Sequence, residues 1–66
     1  MAVLKVIEVL SNSTVSWEDA TKKAVEKASK SVKHIRSVYV QEQSASVKDG
    51  NVTEFRVNLK LTFEIE

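Results

Sequence analysis

The sequence contains no cysteine and no proline, and it has a single glycine and a single histidine. The absence of cysteine excludes disulfide bonds, and one histidine leaves little for a transition-metal site. A chain of 66 residues buries only about 60% of the surface that its unfolded form exposes, so it is marginally stable alone. Disulfides, metals and partner subunits are the usual supports of so small a domain. Because the first two are largely lacking, we expect the chain to associate with copies of itself.

The sequence also lacks an excess of either charge. It has ten Lys and Arg residues and nine Asp and Glu residues, which gives a net charge of +1. A nearly neutral chain has no strong positive potential to attract the phosphates of nucleic acids or membranes, so we expect neither as a partner. No run approaches the roughly 18 consecutive apolar residues of a membrane span. Residues Met1–Lys5 lack the basic and apolar segments of a secretory signal. These features predict a cytoplasmic protein.

The first half of the chain predicts a strand followed by a helix. Residues Ala2–Leu10 are rich in β-branched side chains and predict a strand, and the polar cluster Ser11–Thr14 predicts a loop. Apolar residues then recur at spacings of three and four, which predicts a helix over Trp17–Lys33. Ser16 and Asp19, three residues apart, resemble a capping box at its start.

The second half of the chain predicts a β-hairpin. Residues 35–47 form an extended pattern, and Asp49-Gly50 favours a type I′ turn, which requires positive φ at both central residues. From Phe55 to Ile65 apolar and polar residues alternate without interruption, so the apolar face is expected to pack on the helix. Residues 1–66 therefore predict one α+β domain of order β-α-β-β, with a three-stranded antiparallel sheet wrapped around one helix.

Several short segments carry a resemblance to a known family. They are Val6–Val9 in the first strand, Ser16–Ala20 at the start of the helix, Ala24 and Ala28 within it, and Phe63–Glu66 at the end. The run Ser-Trp-Glu-Asp-Ala is the most specific of them. The chain resembles the dodecins, short β-α-β-β proteins that form hollow twelve-subunit shells and commonly bind flavins in pairs. The resemblance spans essentially the whole chain and implies a homododecamer that binds or stores a small ligand at subunit interfaces.

Two departures from the family pattern bear on the ligand. In flavin-binding dodecins a tryptophan at the start of the second strand stacks on the flavin ring, and a glutamine in the third strand hydrogen-bonds its polar edge. Alignment without gaps from the helix onward puts Ser37 and Arg56 at these positions. Serine has no aromatic face, and arginine has no acceptor. The resemblance thus implies weaker binding of FMN or riboflavin than in relatives with the tryptophan, in a pocket lined by Arg36, Ser37, Val38, Glu42 and Arg56.

Acidic residues suggest a second kind of ligand. Glu8, Glu64 and Glu66 would form rings if they were copied around a symmetry axis, and clustered carboxylates bind calcium or magnesium. No spacing within the chain is typical of a metal site, so the metal ligands stay unassigned, and solvated or salt-bridged carboxylates are the alternative. A cation-binding or purely structural shell without flavin is therefore the alternative function.

A few single residues invite functional interpretations beside structural ones. His34 is interpreted as a cap at the end of the helix, with a catalytic or ligand role as the alternative. Trp17 opens the apolar stripe of the helix and is expected in the core. Tyr39 is expected to face the opposite side of the sheet, at a subunit contact or a ligand. Arg56 and Lys60 belong either to an inter-subunit polar network or to a site for a phosphate-bearing ligand.

The residues that a catalytic site would need are missing. The sequence has no cysteine nucleophile and no glycine-rich phosphate loop, and its single histidine has no evident partner. We therefore expect a binding protein and not an enzyme. An enzyme would require an activity that is lost when His34 or Arg56 is changed.

Overall fold

Three long strands and one short helix make up residues 2–65, the part of the chain that the computed structural model describes. Strand β1 spans Val3–Ser13, helix α1 spans Trp17–Ala28, strand β2 spans Ile35–Lys48 and strand β3 spans Asn51–Ile65. Strand β3 lies between β1 and β2 and pairs antiparallel with both. The predicted α+β fold of order β-α-β-β is confirmed. No helix within these residues is long and apolar enough to cross a membrane.

The first strand is longer than the sequence pattern predicts. Ser11–Ser13 continue the ladder with β3, opposite residues 55–57, without a break in register. The Ser11 hydroxyl donates to the Ala20 carbonyl oxygen of the helix at 2.9 Å. The loop predicted over these residues is therefore wrong, because a long-range partner strand satisfies backbone groups that serine and asparagine would otherwise satisfy locally.

The start of the helix is fixed by two serine side chains. The Ser16 hydroxyl accepts from the Asp19 backbone N–H at 2.9 Å, as expected for an N-cap. The Asp19 carboxylate does not close the capping box, because it accepts from the Ser13 hydroxyl at 2.6 Å and pairs with Lys23 at 3.1 Å. The Ser13 oxygen in turn accepts from the Val15 N–H at 2.9 Å. The end of β1 and the start of α1 are thus held together by one hydrogen-bonded cluster.

This cluster predicts a pH dependence of stability. Hydrogen bonds from Ser13 and Lys23 lower the pKa of the Asp19 carboxyl below its ordinary value. The ionised carboxylate therefore stabilises the fold above the unfolded-state pKa, and this contribution is lost as the pH falls through the lower folded-state pKa. We expect Asp19→Asn to be less stable than the wild type at about pH 7 and the difference to shrink as the pH falls towards about 2, as measured by urea unfolding. A stability difference that is the same at both pH values would contradict this.

The helix ends at Ala28, five residues before the predicted end at Lys33. The Ser29 hydroxyl donates to the Val25 carbonyl oxygen at 2.7 Å, and the Ser31 N–H donates to the Ala28 carbonyl oxygen at 3.0 Å. A serine side chain that bonds a carbonyl oxygen of the last turn, as Ser29 does, competes with a continued helix. The apolar spacing therefore overestimated the length of the helix.

His34 lies beyond this end and does not cap the helix. Its backbone has a φ of +62°, and its carbonyl oxygen accepts from the Glu64 N–H at 3.0 Å. The residue therefore stands immediately before β2. The interpretation of His34 as a C-terminal helix cap is wrong, because it presupposed a helix that reached Lys33.

The core lies between the helix and the central strand. Its buried side chains are small on the helix and larger on β3; they are Ala20, Ala24, Val57, Leu59 and Leu61. Trp17 packs against this core, as predicted, with its ring edge-to-face on Phe55 at 5.0 Å between centroids. Its indole N–H donates to the Ser44 carbonyl oxygen at 2.8 Å. Alanine on the helix lets the backbone lie close to the sheet, and Trp17 fills the space at one end.

The hairpin between β2 and β3 follows the prediction. Asp49 has a φ of +52° and Gly50 has a φ of +79°. These values agree with a type I′ turn, whose two central residues both need positive φ. The Asp-Gly pair therefore sets the register of the two longest strands.

The helix covers only part of the sheet. The described chain is 51 Å long, whereas a helix of 12 residues spans about 18 Å. Much of the sheet therefore lies beyond the helix, and large apolar side chains stay exposed on all three strands. This uncovered surface is where a ligand or another chain could bind.

Candidate ligand-binding face

The sheet has one face under the helix and an opposite face, called here the outer face, that no element of residues 2–65 covers. Because side chains alternate along a strand, the strand pairing assigns each residue to one face. The buried residues Val57, Leu59 and Leu61 define the helix face. The outer face then carries Leu4, Val6, Glu8, Leu10 and Asn12 of β1, Arg56, Asn58, Lys60, Thr62 and Glu64 of β3, and Ser37, Tyr39, Glu42 and Ser44 of β2.

Two of the predicted flavin-site residues are neighbours on this face, and a third is distant. Glu42 lies opposite Asn58 and Ser44 lies opposite Arg56, so Glu42 and Arg56 are diagonal neighbours. Ser37 lies opposite Thr62. Thr62 is six residues from Arg56 along β3, or about 20 Å at 3.3 Å per residue. One chain therefore does not bring Ser37 and Arg56 together.

The other two predicted residues point elsewhere. Val38 lies opposite the buried Leu61 and so belongs to the helix face. Arg36 stands at an irregularity in the β2 register, and its Nε donates to a Glu64 carboxylate oxygen at 3.2 Å. A pocket that contains all five residues would need more than one chain, and the pocket stays a prediction.

Arg56 lies beside a hollow of about 350 Å³ on the outer face. The hollow is lined by residues of all three strands, namely Leu10, Ser11, Asn12, Ser44, Arg56 and Val57. Asn12 Nδ2 donates to a Glu54 carboxylate oxygen at 2.9 Å. Sequence reasoning missed Leu10, Asn12 and Ser44, because their proximity to Arg56 depends on the register of both neighbouring strands.

The acidic residues considered for a metal ring are apart within one chain. Glu8 lies opposite Lys60, whereas Glu64 lies opposite Leu4 and is bonded to Arg36. Four residues of β1, about 13 Å, separate these two rows. Glu66 lies outside the described residues. Across residues 2–65, no group of three or more acidic, histidine or cysteine side chains is placed to hold a metal ion.

Tyr39 is the aromatic side chain most open to solvent on the outer face, with 65% of its surface exposed. It lies opposite Lys60, whose other cross-strand neighbour is Glu8. The expectation that Tyr39 points away from the helix is confirmed by this pairing. The outer face thus combines an exposed aromatic ring, two cations and several acids along one surface.

Comparison with known proteins identifies the family to which this architecture belongs. A sequence model described as Dodecin matches residues 3–66. The chain belongs to the dodecin family. The match covers all four elements of the structure, so the resemblance in Ser16–Ala20 and Phe63–Glu66 extends over the whole domain.

Individual relatives agree with this assignment. The chain is 37% identical over 65 residues to a protein of Mycobacterium tuberculosis named calcium dodecin. The match covers 98% of this chain and 92% of the relative. A crystal structure of calcium dodecin, described as a calcium-chelating antigen with a novel calcium-binding site, matches with a TM-score of 0.82 over 97% of this chain and 91% of that one. Dodecin from Streptomyces coelicolor matches with a TM-score of 0.92 at 29% identity, covering 98% and 93% of the two chains.

Proposed function

We propose that this dodecin is a cytoplasmic, non-enzymatic protein that assembles into a hollow homododecamer and binds or stores a small ligand, with calcium as that ligand. The proposal rests on a difference in length. The described chain is 51 Å long, whereas the helix that covers its sheet is about 18 Å long. A sheet with so much uncovered apolar surface is unfavourable as a monomer in water. Copies of the same chain are the simplest cover for it.

The exposed apolar residues support assembly by their grouping. Strand β1 is an edge strand, and its side chains include Val3, Leu4, Val6 and Leu10, all more than half exposed. Leu10 has 75% of its surface exposed. Long edge strands with apolar side chains favour pairing or packing with another chain. We infer that contacts between copies bury much of this strand.

Calcium is favoured over flavin by two observations. The relative with 37% identity is named calcium dodecin. Ser37, at the position where flavin-binding relatives have a stacking tryptophan, has no ring. Symmetry would multiply each carboxylate of the outer face around an axis, and rings of carboxylates supply the oxygen ligands that calcium prefers. We propose Glu8 as a ring residue, since Glu64 is bonded to Arg36.

Calorimetry on chelator-treated protein tests the calcium proposal. We expect calcium to bind with a dissociation constant below about 1 mM, because dedicated protein sites reach this range. A shared ion on an axis gives fewer than one calcium per chain. Glu8→Gln is expected to weaken binding at least tenfold, and Glu18→Gln, on the exposed helix face beside Lys22, is the matched control. The absence of heat at millimolar calcium would contradict the proposal.

Flavin is the second candidate, favoured by the family and by the shared placement of Ser37, Glu42 and Arg56 on the outer face. The missing aromatic contact leads to a sharp prediction. We expect Ser37→Trp to bind riboflavin and FMN at least tenfold more tightly than the wild type, since stacking adds about 0.5–1.5 kcal/mol to the burial of the ring. Quenching of flavin fluorescence measures this, with Ser37→Leu as an apolar control without a π-face. Nanomolar binding by the wild type would contradict the importance given to Ser37.

A further inference from the structure

The turn between β2 and β3 places an aspartate directly before a glycine, a pair whose groups can react with each other. Asp49 and Gly50 are both exposed, and Lys48 pairs with Asn51 on either side of them. Strand β1 ends opposite Phe55, so the turn lies beyond the strand that is proposed to contact other copies. The aspartate-glycine pair therefore lies outside the surface assigned to assembly.

Both reacting groups of this turn are unhindered. The Gly50 N–H has no acceptor within residues 2–65, and a Cβ added at Gly50 would meet no atom within 4 Å. In the same part of the chain the Asp49 carboxyl group has no hydrogen bond or ion pair. Asn51 Nδ2 donates to the Asp49 carbonyl oxygen at 3.3 Å, which leaves that carboxyl group free. Glycine has no side chain to block the approach of its nitrogen to the carboxyl carbon.

Asp19, the other aspartate of the sequence, has neither property. Its carboxylate is bonded to Ser13 and Lys23. The nitrogen of the next residue, Ala20, donates to the Ser16 carbonyl oxygen at 3.1 Å, and the Ala20 side chain is completely buried. A reaction at this site requires local opening of the helix and the core, whereas an exposed turn opens at little cost. The chain therefore contains its own protected reference.

We propose that Asp49 is a site of spontaneous backbone modification, at which aspartate converts to isoaspartate. The Gly50 nitrogen attacks the Asp49 side-chain carboxyl carbon, a C–N bond forms, and the carboxyl hydroxyl leaves with the amide proton as water. Water then opens the succinimide ring at either carbonyl, which restores aspartate or joins the chain through the side-chain carboxyl as isoaspartate. The inference goes beyond the proposed function, because neither calcium nor a second copy takes part.

The modification changes the turn itself. Isoaspartate adds a carbon atom to the main chain, whereas a type I′ turn is built from two ordinary residues at positive φ. Turn type and loop length fix the register of a hairpin. The pairs nearest the turn, Lys48 with Asn51 and Val47 with Val52, therefore loosen in the modified chain.

Ageing of the whole protein in heavy-oxygen water near neutral pH tests this proposal. Ring opening transfers an oxygen atom from water to the chain, so mass spectrometry of peptides locates the label. Electron-transfer fragmentation distinguishes isoaspartate from aspartate. We expect isoaspartate at Asp49 to accumulate at least about tenfold faster than at Asp19, because the helix must open first. Equal rates at the two sites, or no isoaspartate at Asp49, would overturn the proposal.

The variant Asp49→Asn tests the attack by the Gly50 nitrogen while keeping a dipeptide that favours the type I′ turn. The same ring then forms with loss of ammonia in place of water, and the change from amide to carboxyl is measured by mass. We expect isoaspartate to form faster than in the wild type, because the side-chain amide of Asn-Gly forms the ring more readily than a carboxylate. A rate no higher than that of the wild type would contradict the proposed attack.

Hydrogen exchange on the aged protein measures the consequence for the hairpin. We expect faster exchange of the Val47 and Val52 amides in the isoaspartate form, with the amides between β1 and β3 unchanged. Unchanged exchange beside the turn would contradict the loosening of the hairpin.

Discussion

Replacement of Leu59 by alanine is expected to destabilise the fold by about 2–5 kcal/mol, the range for truncating a fully buried leucine. Leu59 is completely buried between the central strand and the helix, and it belongs to the cluster with Ala20 and Ala24. A domain of 66 residues has a total stability of roughly 3–10 kcal/mol. The substitution should therefore remove a large share of the stability of the fold.

Urea unfolding at one fixed protein concentration measures this loss, since assembly makes apparent stability depend on concentration. Glu26→Ala is the control, because Glu26 is an exposed residue of the helix and does not lie on the outer face of the sheet. We expect the control to change stability by less than about 0.5 kcal/mol. A loss below about 1 kcal/mol for Leu59→Ala would contradict the assignment of the core.

Val6→Glu is expected to abolish assembly while leaving the secondary structure of the single chain intact. Val6 lies on the outer face in the same row as Thr62 and Ser37, and it is more than half exposed in one chain. A carboxylate at an exposed position of a monomer costs little. At a contact between copies it would be buried without a partner, which costs several kcal/mol per chain.

Sedimentation velocity and circular dichroism together measure this outcome. Val6→Thr keeps the β-branched shape without a charge, and we expect it to assemble at the same protein concentration as the wild type. Assembly of Val6→Glu equal to that of the wild type would show that this part of the outer face is not a subunit contact.

The sequence predicts those parts of the fold that depend on local pattern. The alternation from Phe55 to Ile65 identifies the helix face of β3, because strand periodicity assigns every second residue to one side. The Asp49-Gly50 pair identifies the hairpin, because few other dipeptides adopt positive φ at both positions. Ser16 identifies the start of the helix, because serine is a preferred N-cap residue. In the structure its hydroxyl accepts a hydrogen bond from the Asp19 N–H.

Element ends are less predictable, because contacts distant in sequence decide them. The Ser11–Ser13 segment has the composition of a loop, yet it pairs with β3 more than forty residues later. The helix stops at Ala28 although the apolar spacing continues to Val32, because the Ser29 hydroxyl and the Ser31 backbone N–H bond carbonyl oxygens of its last turn. In both places, local propensity competes with hydrogen bonds that the pattern does not contain.

The candidate site was the least predictable part of the molecule. The sequence pointed to Arg56, but the neighbours that give it a hollow, Leu10 and Asn12, follow only from the β1–β3 register. The β2–β3 register separates Ser37 from Arg56 within one chain. Sites that are completed by symmetry leave no spacing signal in a single sequence, because their ligands come from different copies.

Light scattering coupled to size exclusion, with absorbance recorded across the same peak, tests the central claim of self-assembly most directly. We expect a single species of about 89 kDa, the mass of twelve chains of 7.4 kDa, without the visible absorbance bands of a flavin. Flavin bands in that peak would favour the second candidate ligand over calcium. A species of 7.4 kDa would contradict the account, since the apolar surface of β1 would then be exposed in solution.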